Sequence, residues 1–302
     1  MVDIWHVIYK GVTGSGKVVV DHIADHKLEV GPWTFFALLD ATAQDDCLVF
    51  HGRTALLNCL PFLVWNKMAM TRRNRICYNP HTNLRPKLLH RIFLNMFVDK
   101  IISFTNANKE QLDKAGFRNV VVIPNPIPVQ RLKEAKASIG VNKEYDFVWV
   151  GRNNSIKRLE IFIRMFLRIT NIKGVILADV ITDDQRAMMS PVNDRLRALA
   201  GLNGSAFFSE FVKGKVLVFT STDAEGFPIT LLEAMYLGIP IIAPGTPKFR
   251  EILQDEALYF QDEEDLARLI VGIKNGSVAP VQAKRLLEVY SVERVKGMYG
   301  EL

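Results

Sequence analysis

Short apolar runs rich in β-branched residues alternate with amphipathic stretches along most of the chain. Such runs are typical of strands buried in a parallel sheet, and the stretches between them are typical of crossover helices. The pattern predicts strands at Ile4–Tyr9, Cys47–Phe50, Arg75–Tyr78, Lys100–Phe104, Val120–Ile123, Asp146–Val150, Gly174–Val180, Val216–Thr220, Ile239–Ala243 and Ala257–Phe260. We therefore predict an α/β fold.

A proline-rich segment divides this alternation into two halves. Residues 124–128 read Pro-Asn-Pro-Ile-Pro, which can continue neither a helix nor a central strand. We predict two Rossmann-like lobes, residues 1–128 and residues 129–290, that face a central cleft. Ligands of open α/β sheets bind beyond the carboxyl ends of the strands, so we expect the chemistry in that cleft.

The composition is that of a globular protein, with 49% hydrophobic and 23% charged residues in a chain of 302. This excludes a disordered chain, and no run approaches the roughly 18–20 apolar residues of a membrane span. The N-terminus has no secretory signal pattern. The cysteines, Cys47, Cys59 and Cys77, form no CxxC motif, so we expect neither a disulfide framework nor a metal site, and a cytoplasmic location.

Positive charge is concentrated in the first half of the chain, whose overall formal net charge is +6. No acidic residue lies between Asp46 and Asp99. The basic residues in that interval are Arg53, Lys67, Arg72, Arg73, Arg75, Arg85, Lys87 and Arg91. Two explanations fit this charge distribution equally well: a solvated basic face, or attraction to phosphorylated ligands, lipid headgroups or nucleic acid.

The segment after the strand Val216–Thr220 carries two glutamates with seven residues between them. Glu225 lies in the predicted loop and Glu233 in the helix that follows, which we expect to end before Gly238. Gly226 allows close approach of a ligand, and the amides at the helix start suit a phosphate. Apolar neighbours predict that Glu233 is buried, where sugar hydroxyls would supply its donors; the alternative is a surface glutamate.

A second cluster follows the strand that ends at Val150. Gly151 makes the turn, and Ser155 is the predicted N-cap of the next helix. Lys157 and Arg158 would then lie in the first helical turn, where the helix dipole disfavours cations. With Arg152 nearby, this charge indicates a dianionic ligand in the loop, although exposed cations would also fit.

Together these motifs resemble the donor-binding lobe of retaining family 4 glycosyltransferases of the GT-B fold. The run SFTNANKEQLDKAGFRNVVVIPNPI resembles the end of that family's first lobe and its linker. The tail YSVERVKGMYGEL resembles the terminal helix, residues 291–302, that crosses back onto the first lobe. The resemblance implies transfer of a sugar from a nucleotide-diphosphate donor to a glycan, lipid-linked or protein acceptor, with retained anomeric configuration.

The resemblance also implies roles for individual residues. Arg152 and Lys157 would bind the diphosphate, Glu225 the donor sugar and Glu233 the ribose hydroxyls. The donor-binding segments would include Gly151, Gly226, Phe227, Pro228 and Ile229, with the amides of Gly226 and Phe227 on the distal phosphate. These cations and amides would stabilise the departing diphosphate, so we expect that neither a metal nor another cofactor is required, and the absence of an Asp-x-Asp motif agrees.

The first lobe offers weaker candidates. His81 follows a predicted strand and resembles the histidine that contacts the donor sugar in this family, although a structural loop histidine is the alternative; His51 is a lesser candidate. Gly14 and Gly16 would form a tight loop facing the cleft. The interval Gly11–Lys17 has the spacing of a phosphate-binding P-loop but continues with Val18, where Ser or Thr is needed. His22 and His26 are interpreted as ordinary helix residues.

Residues 84–97 form a predicted basic amphipathic helix. We expect its apolar stripe to pack in the core; if exposed, the helix could rest on anionic lipid and reach a lipid-linked acceptor. The leading hypothesis is thus a glycosyltransferase. The alternatives are a P-loop phosphotransferase that uses Gly11–Lys17 and a non-catalytic nucleic-acid-binding protein. The basic stretch lacks the interleaved aromatic residues that stack on bases, which argues against nucleic-acid binding.

Overall fold

The computed structural model describes residues 3–9, 20–21, 23–31, 38, 46–69, 74–80, 88–129, 132–133, 142–281 and 286–302. The chain divides into two compact units, one of Met1–Pro126 with Tyr290–Leu302 and one of Ile127–Val289. Among the described residues, no helix is both long and apolar enough to cross a bilayer.

The first unit is built on a six-stranded parallel sheet in the order β2-β1-β3-β4-β5-β6. Its strands are β1 (Ile4–Tyr9), β2 (His26–Val30), β3 (Cys47–His51), β4 (Arg75–Asn79), β5 (Lys100–Ser103) and β6 (Val120–Val122). The helices described in this part of the chain are α1 (Arg53–Asn58), α2 (Leu60–Met68), α3 (Leu88–Phe97) and α4 (Asn106–Lys114).

The second unit repeats the plan with a six-stranded parallel sheet in the order β12-β11-β10-β7-β8-β9. Its strands are β7 (Tyr145–Gly151), β8 (Gly174–Ala178), β9 (Leu196–Ala200), β10 (Gly214–Val218), β11 (Ile241–Pro244) and β12 (Leu258–Phe260). The helices described are α5 (Leu159–Arg168), α6 (Asp183–Met189), α7 (Gly204–Phe211), α8 (Ile229–Tyr236), α9 (Pro247–Leu253), α10 (Glu263–Lys274) and α11 (Leu286–Val289).

Helix α5 shows how the sheet of the second unit is covered. Its buried side chains include Phe162 and Phe166, and they pack on the strands. Gly174 makes this contact possible, because a Cβ atom at that position would overlap the ring of Phe166. Large aromatic side chains in such an interface contribute much of the hydrophobic stabilisation. The core of this unit therefore depends on one close approach of a helix to a strand.

Each of the ten predicted strands is confirmed, with its ends displaced by at most two residues. The fold class is therefore confirmed as α/β with two parallel sheets. The prediction missed β2 and β9, which are edge strands and are only partly buried. The interpretation of His26 as a helix residue is wrong, since it begins β2 and pairs with Trp5 of β1. Strands β2 and β9 lack the continuous apolar run that marks a buried strand, and they form by pairing with β1 and β8, respectively.

The end of the chain forms α12 (Val292–Gly300), which belongs to the first unit. Ser291 caps its first turn by accepting a hydrogen bond from the amide of Arg294. Tyr299 is buried, and its hydroxyl oxygen accepts a hydrogen bond from Asn79 Nδ2 at 2.9 Å. This buried hydrogen bond joins the helix to the carboxyl end of β4.

Four of the five residues of the apolar stripe of α3 are exposed, so for them the expectation of core packing is wrong, whereas the fifth, Phe93, is partly buried and packs against the core of the first unit. The exposed side chains are Leu88, Leu89, Ile92 and Met96, and Leu89 retains 81% of its accessible surface. The buried residue of the helix is Leu94. Arg91 and Asn95 donate hydrogen bonds to the carbonyl oxygens of Ala115 and Gly116, both at 2.9 Å. These contacts orient the helix so that the stripe faces solvent.

Candidate functional site

Two loops meet at the carboxyl edge of the second sheet. One follows β7 and the other follows β10, and these strands are neighbours in the sheet. Three contacts join them: Arg158 Nε donates to Thr220 O at 2.9 Å, Thr220 Oγ1 donates to Lys157 O at 2.6 Å, and Thr222 N donates to Ile156 O at 2.8 Å. The two motifs identified in the sequence are thus parts of one site.

The first loop begins its helix later than the sequence indicates. Helix α5 starts at Leu159, so Ser155 is not its N-cap, and Lys157 and Arg158 precede the first helical turn. The segment before α5 forms a turn instead of a helix, because Asn154 Oδ1 accepts hydrogen bonds from the amides of Ile156 and Lys157, both at 3.1 Å. Arg158 takes a left-handed conformation with φ of 47°, a strained state for a residue other than glycine. Its hydrogen bond to the neighbouring loop supports that state.

Lys157 and Glu225 form an ion pair across the two loops. Lys157 Nζ lies 2.9 Å from Glu225 Oε2, and the side chains are only 12% and 19% exposed. The ammonium also lies 5.3 Å from the centre of the Phe219 ring, at cation–π distance. Partial burial reduces screening by water and salt, so the charges at this point act strongly on a bound ion.

Arg152 and Gly151 lie at the end of β7, upstream of Lys157 in the same loop. The side chain of Arg152 is exposed, while Gly151 packs beneath Lys157: a Cβ there would lie 3.2 Å from Lys157 Cδ and 2.9 Å from the ring of Trp149. Glycine at this position therefore lets the lysine side chain lie across the strand end. The structure places Arg152 and Lys157 in one loop, with Arg152 on its solvent side.

The second loop leads into α8, which begins at Ile229 as predicted and ends before Gly238. Gly226 and Phe227 are buried, and Pro228 occupies the N-cap position without providing a side-chain cap. The first amides of a helix have no partner within the helix, and here the N-cap side chain supplies none. The start of α8 therefore presents backbone donors and the positive end of the helix dipole.

Glu233 lies in the middle of α8 and is 3% exposed. The prediction that this carboxylate is buried is confirmed, and the alternative of a surface glutamate is wrong. Its neighbours along the helix, Leu232 and Ala234, are fully buried. A carboxylate in apolar surroundings requires hydrogen-bond donors, so this residue is suited to hold polar groups rather than to pack.

Two residues of the site were not identified from the sequence. Lys248 of α9 is 3% exposed and donates from Nζ to the carbonyl oxygens of Asp223 and Glu225, each at 2.6 Å. Burial lowers the pKa of Lys248 to about 8. Ser221 is buried in the same loop, and its hydroxyl has no hydrogen-bond partner in the described part of the chain. Lys248 lies near the start of α9, in the run TPKFREIL, and its local sequence is that of a surface lysine. The sequence therefore contains no signal that it belongs to the site.

The candidates in the first unit are only partly described. His81, Gly14, Gly16 and the interval Gly11–Lys17 lie outside the described residues. His51, at the end of β3, is buried, and its Nε2 lies 2.8 Å from Nδ1 of His6. The described residues contain no group of three His, Cys, Asp or Glu side chains that could hold a metal ion.

Sequence comparison relates the second unit to a known family. Residues 144–275 match the sequence profile of the family described as Glycosyl transferases group 1. The uncharacterized glycosyltransferase MJ1059 of Methanocaldococcus jannaschii is 24% identical over 228 residues, which are 66% of this chain and 55% of that protein. The chain thus spans about half the length of the curated relative that it matches.

Comparison with solved structures extends the likeness to the whole chain. Anabaena HepE (Alr3699) in complex with UDP has a TM-score of 0.75 at 15% identity, covering 99% of this chain and 98% of that one. Its complex with UDP-glucose has a TM-score of 0.70 at 16% identity, with coverage of 100% and 99%. Sucrose-phosphate synthase (tll1590) from Thermosynechococcus elongatus has a TM-score of 0.72 at 13% identity, with coverage of 99% and 98%.

At these identities the structural likeness establishes the fold alone. The two parallel six-stranded sheets agree with it. Residues 144–275 are thus similar to the glycosyltransferase group 1 family, and the chain has the two-sheet α/β fold of the GT-B glycosyltransferases that it resembles.

Proposed function

We propose that this protein is a glycosyltransferase that moves a sugar from a UDP-sugar to an acceptor, with retained anomeric configuration and without a metal ion. The observation that carries the proposal is the ion pair between Lys157 and Glu225, in two hydrogen-bonded loops beside the start of α8. The pair brings a cation and a carboxylate together in one site, which supports binding of a diphosphate and a sugar there.

The costly event in such a transfer is the build-up of negative charge on the departing diphosphate. Lys157 has three N–H donors, so it can bind a phosphate oxygen while it keeps its contact with Glu225. Arg152 adds a second cation, and the amides of Gly226 and Phe227 would bind the distal phosphate. Preorganised donors of this kind stabilise charge where it develops. In the proposed mechanism, these groups neutralise the leaving group without a divalent ion or another cofactor.

The carboxylates are assigned to the carbohydrate parts of the donor. An ionised carboxylate accepts hydrogen bonds and repels phosphate, so Glu225 and Glu233 suit hydroxyl groups. Glu225 is assigned to the donor sugar, and buried Glu233 to the ribose hydroxyls. This division leaves the cations for the diphosphate that lies between the two sugars.

The choice of UDP is supported by HepE, whose solved structures hold UDP and UDP-glucose. Retention is supported by the resemblance of the Arg152, Lys157, Glu225 and Glu233 motifs to retaining enzymes. Proton NMR of the first product formed would report its anomeric configuration directly. A product of inverted configuration would remove the retaining part of the proposal and leave the transferase part standing.

Nucleotide binding provides the first test. UDP, GDP and ADP at millimolar concentration are compared by thermal shift and calorimetry, and we expect UDP to raise the melting temperature. Arg152→Ala and Glu233→Ala should abolish the shift, whereas Arg268→Ala, an exposed arginine on α10, should preserve it. If none of the three nucleotides binds the wild-type protein, the proposed function is wrong.

The alternative functions make different predictions. A phosphotransferase using Gly11–Lys17 predicts ATP hydrolysis that is lost in Lys17→Ala. A nucleic-acid-binding protein predicts a gel shift at low salt that disappears steeply as salt is added. The family match of residues 144–275 favours the transferase over both.

The acceptor side of the proposal includes peripheral contact with an anionic membrane. The apolar face of α3, defined as Leu88, Leu89, Ile92 and Met96, is exposed. It lies in the stretch without acidic residues between Asp46 and Asp99. An apolar face within a basic region is typical of helices that lie in the headgroup layer, and each basic residue near an anionic surface contributes about 1 kcal/mol. A lipid-linked acceptor would be reached from this position.

Sedimentation with vesicles tests this contact. We expect binding to equimolar phosphatidylcholine and phosphatidylglycerol, but not to phosphatidylcholine alone. Replacing both Leu88 and Leu89 by Ser should abolish binding, because burial of each leucine contributes about 1.5–3 kcal/mol. Replacing both Leu167 and Val271, exposed apolar residues of the second unit, should not. Equal binding by both double variants would contradict the assignment to α3.

The cellular location is proposed to be the cytoplasm. Cys47, Cys59 and Cys77 are buried free thiols, a state that a reducing compartment maintains. Fractionation of cells that produce the tagged protein would test this location, with the anionic leaflet facing the cytoplasm as the expected membrane site.

A further inference from the structure

A buried lysine lies beneath the loop that carries Glu225. Lys248 is the second residue of α9, and its ammonium donates to two backbone carbonyl oxygens at 2.6 Å. Removing an ammonium from water costs several kcal/mol unless hydrogen bonds and charges compensate. Burial lowers its pKa, while the charges of Asp223 and Glu225 act in the opposite direction. A buried cation at this position indicates that its two hydrogen bonds contribute to the structure of the loop.

These hydrogen bonds hold the backbone from which the Glu225 side chain extends. One acceptor is the carbonyl oxygen of Glu225 itself, and the other belongs to Asp223, two residues earlier. The segment between β10 and α8 has no regular structure at this point. Its local hydrogen bonds include those from the amides of Glu225 and Ala224 to Thr222, at 3.1 and 3.3 Å. Lys248 therefore attaches the middle of the loop to α9.

We propose that Lys248 is a positioning residue of the donor site, which holds the Glu225 carboxylate in place beside Lys157. This inference rests on the proposed function and adds a residue from α9 to the site. Lys248 acts through the backbone, from the protein side of the loop. Loss of its two hydrogen bonds would let the carboxylate move, and misplacement of a reacting group by about 1 Å can cost about 100-fold in rate.

A second lysine of the same unit provides a control that is matched in its hydrogen bonds, although Lys143 is exposed where Lys248 is buried. Lys143 Nζ also donates to two backbone carbonyl oxygens, those of Val212 at 2.8 Å and Gly214 at 3.0 Å. Burial lowers the pKa of Lys143 as well. It precedes β7 and contacts the amino end of β10, at the edge of the sheet opposite the site. Its loss would remove the same kind of hydrogen bonds without touching Glu225.

The experiment compares Lys248→Met and Lys143→Met with the wild type for UDP affinity, UDP stoichiometry and turnover with UDP-glucose, including its slow hydrolysis. We expect Lys248→Met to lower kcat by about 10- to 100-fold while the Kd for UDP changes by less than about twofold. Lys143→Met should keep the wild-type kcat. The stoichiometry of UDP binding counts folded molecules, so partial unfolding cannot imitate the result.

Combination with Glu225→Gln gives a readout that a purely structural role would not produce. If Lys248 acts through Glu225, the double variant should have the kcat of Glu225→Gln alone, since coupled residues are not additive. Independent, multiplied losses would overturn the proposal, as would a wild-type kcat in Lys248→Met. If Lys248→Met does not fold, Lys248→Gln, which retains one donor group, is judged by the same criteria. A wild-type protein that binds no UDP would instead refute the proposed function.

Discussion

Replacement of Lys157 by Met removes one charge from the site and preserves most of the side-chain volume. Lys157 would contribute a charge-assisted hydrogen bond to the diphosphate, worth about 1.5–3 kcal/mol. We therefore expect the Kd for UDP to rise by about 10- to 150-fold, since about 1.4 kcal/mol corresponds to a factor of ten. Isothermal titration calorimetry measures this change directly.

The control for this variant is an ion pair of the same geometry elsewhere in the second unit. Lys213 Nζ lies 2.9 Å from Glu210 Oε1, and the side chains are 21% and 17% exposed. Lys213→Met should affect stability much as Lys157→Met does, by about 1 kcal/mol for a partly exposed pair, but should leave UDP affinity unchanged. The comparison separates loss of an ion pair from loss of a ligand contact.

Glu225→Gln should not weaken UDP binding, in contrast to Lys157→Met. Removing a negative charge beside a diphosphate should leave UDP affinity equal or higher, while turnover falls because the sugar loses its carboxylate partner. The reasoning about charge in this site would be refuted by a Lys157→Met variant with wild-type affinity. It would equally be refuted by a Glu225→Gln variant that loses affinity as strongly as Lys157→Met.

Three further predictions concern stability. Between pH 8 and 10.5, Lys248 keeps its proton in the unfolded chain but has released it in the folded protein, so stability rises with pH. Between pH 7.5 and 10, the free energy of unfolding measured with urea should therefore rise by about 2 kcal/mol more in the wild type than in Lys248→Met. Parallel pH curves for the two proteins would contradict the lowered pKa. Gly174→Ala should cost about 1–3 kcal/mol through overlap with the helix above it, whereas Gly297→Ala, with open space around the new Cβ, should stabilise by about 0.5–1 kcal/mol. Tyr299→Phe should cost about 1–2 kcal/mol, since it removes the buried acceptor of Asn79 Nδ2, and an unchanged melting temperature would show that this hydrogen bond is dispensable.

The central strands and their order along the chain could be predicted because their signal is local. A strand of a parallel sheet is buried on both faces, so it must be a continuous apolar run, as Val216 to Val218 illustrates. The start and end of α8 were likewise readable from Ile229 and Gly238. The pairing of Lys157 with Glu225 was anticipated only as convergence on one ligand, because sequence spacing does not measure distance between loops.

Other features depend on contacts between residues far apart in the chain. The start of α5 at Leu159 depends on a distant loop, because Arg158 donates a hydrogen bond to Thr220, 62 residues later. Strand β9 has a weak apolar pattern and exists through its pairing with β8. Lys248 has the sequence context of a surface lysine, and only folding places its ammonium under the carbonyl oxygens of another loop.

Sequence alone determined which segments are apolar enough to form the two sheets and which residues bring charge and flexible backbone to their carboxyl edges. Tertiary structure alone decided which face of α3 meets solvent, where each loop ends, and which cation holds the Glu225 loop. The reason is physical. Hydrophobic burial is encoded residue by residue, whereas a hydrogen bond or ion pair exists only when two distant parts of the chain reach contact distance.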